Sequence, residues 1–162
     1  MNLASLTGHL HLSPGFEWIG SHYASIAFGT ATLVEVLAYY IPWLDHILDL
    51  IASPAAIIAG IIATASMVTD ISPFLKWTLA LIAGGGAAAI VQGVTVALRT
   101  KSSALTAGAG NVLVSSGELA GSIMTALLAI VVPVLCLILV SLFCIFVIWK
   151  AGRFFFGRIK IR

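Results

Sequence analysis

The sequence predicts an all-α fold, a polytopic membrane helix bundle of about four transmembrane helices with a short interfacial helix and a candidate re-entrant segment. Composition is the first reason: of 162 residues, 60% are hydrophobic and 9% are charged, and the mean hydropathy is +1.13. Soluble domains typically carry about 25% charged residues. The second reason is four apolar runs of the length, about 17–25 residues, that crosses a bilayer core. A soluble fold would expose these runs to water, so we reject it.

The predicted spans cover residues 22–40, 50–68, 74–98 and 120–149. The first contains one charged residue, Glu35. The fourth is longer than a bilayer requires, so it must tilt, extend past the membrane or bend near Pro133. We expect residues 1–150 to form a single transmembrane domain and residues 151–162 a basic juxtamembrane tail.

Two connecting segments stand out. The segment 41–49 alternates apolar residues with Asp45, His46 and Asp49, as is typical of an amphipathic turn at the level of the lipid headgroups. The segment 100–117 is rich in Ser, Gly and Ala. It is either an aqueous loop or a stretch that dips into the membrane.

Small residues recur at every fourth position and predict close helix packing, because they let helix backbones approach each other in lipid. One row lies on the second span, and another on the third: Ala52, Ala56, Gly60 and Thr64, and then Gly85, Ala89, Gly93 and Ala97. We expect Gly60, Gly85, Ala89 and Gly93 at helix contacts. The triplet Gly84–Gly86 either packs closely or forms a hinge beside a cavity.

The distribution of Lys and Arg predicts the orientation. Five of the eight lie in the last thirteen positions, interleaved with Phe, as expected for a juxtamembrane anchor on anionic lipid. With that tail in the cytoplasm and four crossings, Lys76 is also inside, whereas Arg99 and Lys101 are outside. The division into six basic residues inside and two outside favours this topology, because basic residues concentrate on the cytoplasmic side.

Glu35 is the sharpest polar signal, because an ionised carboxylate inside a span costs about 2.5 kcal/mol or more. One interpretation is a proton or cation site. The other is an interhelical hydrogen bond or an ion pair with Arg99 or Lys101. Both interpretations stay open.

Asp45 and Asp49 lie four residues apart beside His46, and such a set could bind a divalent cation. The spacing is common, and a hydrated interfacial turn is the favoured interpretation.

A second polar cluster precedes the last predicted span and contains Asn111, Ser115 and Glu118. These residues are either helix caps, with the carboxylate favoured by the helix dipole, or the lining of a polar pathway at a broken or re-entrant helix. Sequence motifs for phosphate binding, zinc proteases, serine hydrolases and CxxC redox sites do not occur. We expect no enzyme, no metal site and no cofactor.

Short motifs occur in order along residues 14–125: FEW at 16–18, VEVLA at 34–38, IPWLDH at 41–46 followed by Asp49, and Gly110–Asn111 with Ser115 and Glu118. They resemble the DUF4126 family of uncharacterised bacterial membrane proteins. The resemblance implies a polytopic protein of the bacterial inner membrane and supplies no established activity. The chain departs from the family pattern at Tyr39–Tyr40 (commonly Asp-Lys), Val112 (Pro) and Leu119 (Asp), and family members tend to begin with a further membrane helix.

These observations lead to two functional hypotheses. The first is a small channel-like or transporter-like protein with a polar pathway for an ion or small solute near Glu35, Asn111, Ser115 and Glu118. The second is a non-catalytic accessory subunit packed in a larger membrane complex. The expected partners are the lipid bilayer, further copies of the chain or other membrane subunits, and no nucleic acid.

Overall fold

A computed structural model describes the backbone of residues 1–38 and 41–159, and the side chains of that part except residues 42–46, 49 and 155–159. All regular secondary structure in this described part is helical, which confirms the all-α prediction. The elements are α1 (Asn2–Leu6), a 3-10 turn (Glu17–Gly20), α2 (His22–Ala38), α3 (Pro42–Met67), α4 (Pro73–Leu79), a π-helical segment (Ala80–Gly85), α5 (Gly86–Thr106), α6 (Asn111–Val131) and α7 (Pro133–Ile159).

Within the described residues, four helices are long and apolar enough to cross a membrane: Leu50–Met67, Pro73–Thr106, Asn111–Val131 and Pro133–Phe154. A polytopic membrane protein is therefore confirmed. Two of the four predicted spans differ from these helices. The predicted span 22–40 corresponds to α2, a helix of 17 residues that is not among the four, and its last two positions lie outside the described residues. The predicted span 120–149 was wrong as a single helix.

The break in that run lies at Val132, whose φ of −137° and ψ of 71° are not helical. Pro133 causes it, since proline has no N–H and its ring clashes with the carbonyl four residues earlier. The Sγ atom of Cys136 lies 3.7 Å from the carbonyl oxygen of Thr125. In a continuous helix these residues would be about 16 Å apart along the axis. The chain therefore reverses at Val132, and α7 packs beside α6.

The two predicted connecting segments belong to helices. Residues 42–49 are the first turns of α3 and continue directly into a span, rather than forming a separate interfacial helix. The stretch 100–117 contains the end of α5, a four-residue turn at 107–110 and the start of α6. The segment is thus a tight helical hairpin, and a dip of its turn into the membrane stays a prediction.

The described chain forms two compact units, residues 1–92 and the residues from Gly93 onward. The single transmembrane domain over residues 1–150 stays a prediction. In the first unit, α3 packs against the π-helical segment at two glycines. A methyl group on Gly60 would lie 2.6 Å from the Gly84 carbonyl oxygen, and one on Gly84 would overlap the Gly60 carbonyl and the Thr64 hydroxyl. The triplet Gly84–Gly86 is thus both a site of close packing and the end of a locally widened helix.

The contact row on the third span differs from the predicted row by one residue. Gly85 is buried against Ile61 as expected, but Ala89 and Gly93 are exposed, and a methyl group on Gly93 would meet no atom within 4 Å. The row that faces α3 contains Gly84, Ala88 and Gln92, whose amide Nε2 donates to Ser53 Oγ at 3.1 Å. One residue corresponds to about 100° around a helix, so Ala89 lies on a different face from Ala88 and Gln92, which face α3.

We predict that Gly84→Ala destabilises the protein, because its methyl group has no room between α3 and the π-helical segment. Overpacking of this kind typically costs about 1–3 kcal/mol. Gly86→Ala is the matched control, since a methyl group there meets no atom within 4 Å and alanine favours a helix over glycine by up to about 1 kcal/mol. Thermal unfolding in mild detergent should rank Gly86→Ala at or above wild type and Gly84→Ala below it. Equal midpoints would contradict the glycine contact.

Candidate functional site

Polar side chains are concentrated among the buried residues of the α5–α6 hairpin. Arg99, Asn111 and Ser115 are 7%, 5% and 0% exposed, whereas most large apolar side chains of these helices face outward. This is the reverse of a soluble protein and suits helices surrounded by lipid, where polar groups need partners inside the protein.

The hairpin turn depends on small residues. Ala107 and Gly108 have φ values of 50° and 92°, in the left-handed region that ends helices. The amide of Gly110 donates to Thr106 Oγ1 at 2.8 Å. A methyl group on Gly110 would overlap Ser102 Oγ. The Gly-rich composition of the stretch therefore allows α5 and α6 to meet closely at their ends.

Asn111 joins the two helices next to the turn. Its Nδ2 donates to Ser103 Oγ at 2.9 Å, and the same hydroxyl lies 3.3 Å from Asn111 Oδ1. Asn111 is the first residue of α6 and follows Gly110, the N-cap, which makes no side-chain capping bond. The N-cap position of α6 thus belongs to Gly110, and a capping role for Asn111 stays a prediction.

Arg99 and Glu118 form an ion pair across the hairpin, with Arg99 Nη2 2.5 Å from Glu118 Oε2. Each residue lies seven positions from the hairpin end of its helix, about 10 Å along the axis. Their side chains are 8% and 27% exposed, so the cation is enclosed and the carboxylate is partly accessible. Glu118 is outside the first turn of α6, and a role in stabilising the helix dipole is excluded by that distance.

Ser115 lies between Asn111 and Glu118 on one face of α6, because positions i, i+4 and i+7 share a helix face. It is fully buried, and its Oγ has no hydrogen-bond partner among the described residues. An unsatisfied buried hydroxyl costs about 1–3 kcal/mol. The hairpin thus contains an ion pair, an amide–hydroxyl pair and a hydroxyl with spare bonding capacity.

The structure brings three of the predicted polar residues together. Asn111, Ser115 and Glu118 share the hairpin, whereas Glu35 is exposed on α2 and pairs with no described side chain. An ion pair of Glu35 with Arg99 or Lys101 stays a prediction, because Glu35 belongs to the first unit and both basic residues to the second. The side chains of Asp45 and Asp49 lie outside the described residues.

Two members of the cluster, Arg99 and Ser103, were not predicted as site residues. Their four-residue spacing on α5 was a usable signal, because it places both on one face. Among the residues searched, no three His, Cys, Asp or Glu side chains could hold a metal ion.

The described helices and the polar hairpin between two of them define the class of protein: an integral membrane protein with several spans. The chain belongs to the family described as "Domain of unknown function (DUF4126)", whose profile matches residues 1–153. That match covers nearly the whole chain and confirms the family suggested by the sequence motifs. Neither a curated protein nor a solved structure matches the chain.

We predict that Glu118→Gln destabilises the protein, since it removes a carboxylate that pairs with the buried guanidinium of Arg99. Breaking one side of a buried ion pair typically costs about 3–5 kcal/mol, and the partial exposure of Glu118 places the expected loss at the low end of that range. Glu35→Gln is the matched control, because that carboxylate is exposed. The double variant Arg99→Gln/Glu118→Gln should recover much of the loss in thermal unfolding. Simple additivity of the two single variants would argue against the pair.

Proposed function

We propose that the protein is a non-enzymatic, channel-like or transporter-like membrane protein that moves a small ion past the polar face of the α5–α6 hairpin. The observation that carries this proposal is the Arg99–Glu118 ion pair, enclosed on the cation side and partly accessible on the carboxylate side. Charged residues within membrane helices are costly and usually mark ion pathways or proton relays.

The arrangement favours a charged solute over a neutral one. Separating two opposite charges in a medium of low dielectric is costly unless another charge replaces the lost partner. A proton or metal cation can replace Arg99 at Glu118, and an anion can replace Glu118 at Arg99. The free hydroxyl of Ser115 and the amide of Asn111 lie on the same helix face and can bond an ion or its hydration shell.

The helix boundaries also support a revised orientation. If the four candidate spans each cross the membrane and the tail is cytoplasmic, the break at Pro133 implies that the 107–110 turn is cytoplasmic as well. Arg99 and Lys101 then join the five basic residues of the tail, and Lys76 alone of the eight falls outside. Seven basic residues inside and one outside fit the positive-inside tendency better than the six and two of the orientation predicted from the sequence. Lys150 and Arg153 lie over the rings of Phe146 and Trp149, at 5.7 and 4.8 Å, as expected at a membrane interface.

This orientation can be tested by labelling single cysteines with a membrane-impermeant maleimide. In a Cys136→Ala/Cys144→Ala background, Thr69→Cys between α3 and α4 should react in intact cells, and Lys101→Cys only after permeabilisation. Both positions are exposed. Labelling of both from the same side would contradict the proposed four crossings.

The transport proposal predicts ion flux in proteoliposomes. Purified protein should dissipate a gradient of at least one of H⁺, Na⁺, K⁺ or Cl⁻, monitored by an ion-sensitive dye. Arg99→Gln/Glu118→Gln should lower that flux by about tenfold or more, because the charges that line the pathway are gone. Glu17→Gln, an exposed carboxylate that bonds the Gly15 amide, is the control and should keep the flux of wild type.

A second candidate is favoured by the low burial of the last two spans. In each of the two helices Asn111–Val131 and Pro133–Phe154, only 6% of the residues in the most apolar stretch are buried. Gly117 and Gly121 are spaced as in close helix dimers, and a methyl group on either would meet no atom within 4 Å among the described residues. An accessory subunit would cover these faces with another membrane protein. Absence of flux for all four ions, together with a second polypeptide that copurifies in constant ratio, would replace the transport proposal with this one.

A further inference from the structure

A cleft in the first unit is lined by residues that the proposed function does not use. It has a volume of about 520 Å³, within the range of about 300–1,000 Å³ typical of small-molecule sites. Three segments line it: Ser13 and Pro14, the α3–α4 loop from Val68 to Ile71, and Lys76 with Trp77 on α4.

The N-terminal segment closes one side of the cleft. The amide of Ser13 donates to the Ser66 carbonyl at 2.7 Å, at the end of α3, and Ser13 is 2% exposed. The ammonium of Lys76 donates to Ser13 Oγ. The same ammonium lies 5.0 Å from the ring centre of Phe16, which contacts Trp77 at 6.4 Å. Lys76 is therefore fixed in position at the cleft wall.

The cleft carries two opposite charges that do not pair with each other. Asp70 lines it together with Lys76, yet neither makes an ion pair within the described residues. A lysine ammonium has three N–H donors, and Ser13 accepts from one of them. The remaining donors, together with the free carboxylate of Asp70, can bind a ligand that has both an acidic and a basic group.

The position of the cleft indicates where such a ligand comes from. The α3–α4 loop connects two candidate spans that end at Met67 and begin at Pro73, so the cleft lies at the level of lipid headgroups. Trp77 lines it and is 47% exposed, and Phe74 beside it is 78% exposed. Exposed aromatic rings at a span end are typical of the membrane–water interface, and they give acyl chains an apolar surface next to the cleft.

We propose that this cleft binds a phosphoethanolamine group, with its phosphate at Lys76 and its ammonium at Asp70. A charge-assisted hydrogen bond forms at each end. A purely anionic headgroup satisfies Lys76 but brings no cation to Asp70, and a free cation is repelled by Lys76. The group can belong to phosphatidylethanolamine in the surrounding bilayer or to soluble phosphoethanolamine, and the experiment separates these two sources.

The test uses the full chain, delipidated in detergent and then given defined lipids. Native mass spectrometry should find phosphatidylethanolamine retained about tenfold more than phosphatidylglycerol, a difference of about 1.4 kcal/mol. Lys76→Gln and Asp70→Asn should each abolish that preference. Lys101→Gln, an exposed lysine outside the cleft, should keep it. A parallel arm measures thermal stabilisation by soluble phosphoethanolamine, and stabilisation there without lipid retention assigns the site to the soluble compound.

Folding is monitored separately, so that a misfolded variant is not mistaken for loss of a site. Each variant must retain the helix content and elution volume of wild type, and Lys76→Arg, which keeps the cation, should retain the lipid preference. Equal retention of the two lipids by wild type without an effect of soluble phosphoethanolamine, or a preference unchanged in both cleft variants, would overturn the proposal. Neither result bears on the flux through the hairpin, which involves other residues.

Discussion

Most large apolar side chains of the described helices are exposed, as expected for helices in lipid. The requirement that buried polar groups find partners inside the protein shapes the rest of the structure. Apolar side chains gain little by leaving a lipid environment, so helices associate through close backbone contact and hydrogen bonds. The chain uses both. Gly60 and Gly84 bring α3 against the π-helical segment, and Gln92 adds a hydrogen bond to Ser53 on the same row. Charged and amide groups join α5 to α6.

Proline acts differently at two places in the chain, although each removes one backbone donor. Pro54 lies inside α3, which continues through it. Pro133 comes after a non-helical residue and begins α7. The two cases differ in packing, because the reversal at Pro133 lets α7 pack beside α6, where Cys136 contacts Thr125 directly. That reversal turns one long apolar run into two spans and places Arg99 on the same membrane side as the basic tail in the proposed orientation.

The polar cluster shows how far a motif can be interpreted without a structure. Gly110, Asn111, Ser115 and Glu118 stood out in the sequence because they combine small and polar residues just before an apolar run. Their partners could not be derived from that segment. Arg99 and Ser103 lie on the preceding helix, and a tight turn with two left-handed residues brings them opposite Glu118 and Asn111. No spacing rule in the sequence relates the sharpest sequence signal, Glu35, to the residues of α5 or α6.

The sequence by itself determined that the protein is a helical membrane protein, since the length and composition of apolar runs reflect the bilayer thickness directly. Its short motifs also indicated the family. It also indicated that small residues mediate packing, and it identified Gly60 and Gly85 correctly. Only the tertiary structure decided which row of the third span faces α3, where the last apolar run breaks and that Glu118 pairs with Arg99. These outcomes depend on contacts between segments, and periodicity within one helix repeats every 3.6 residues whatever lies beside it.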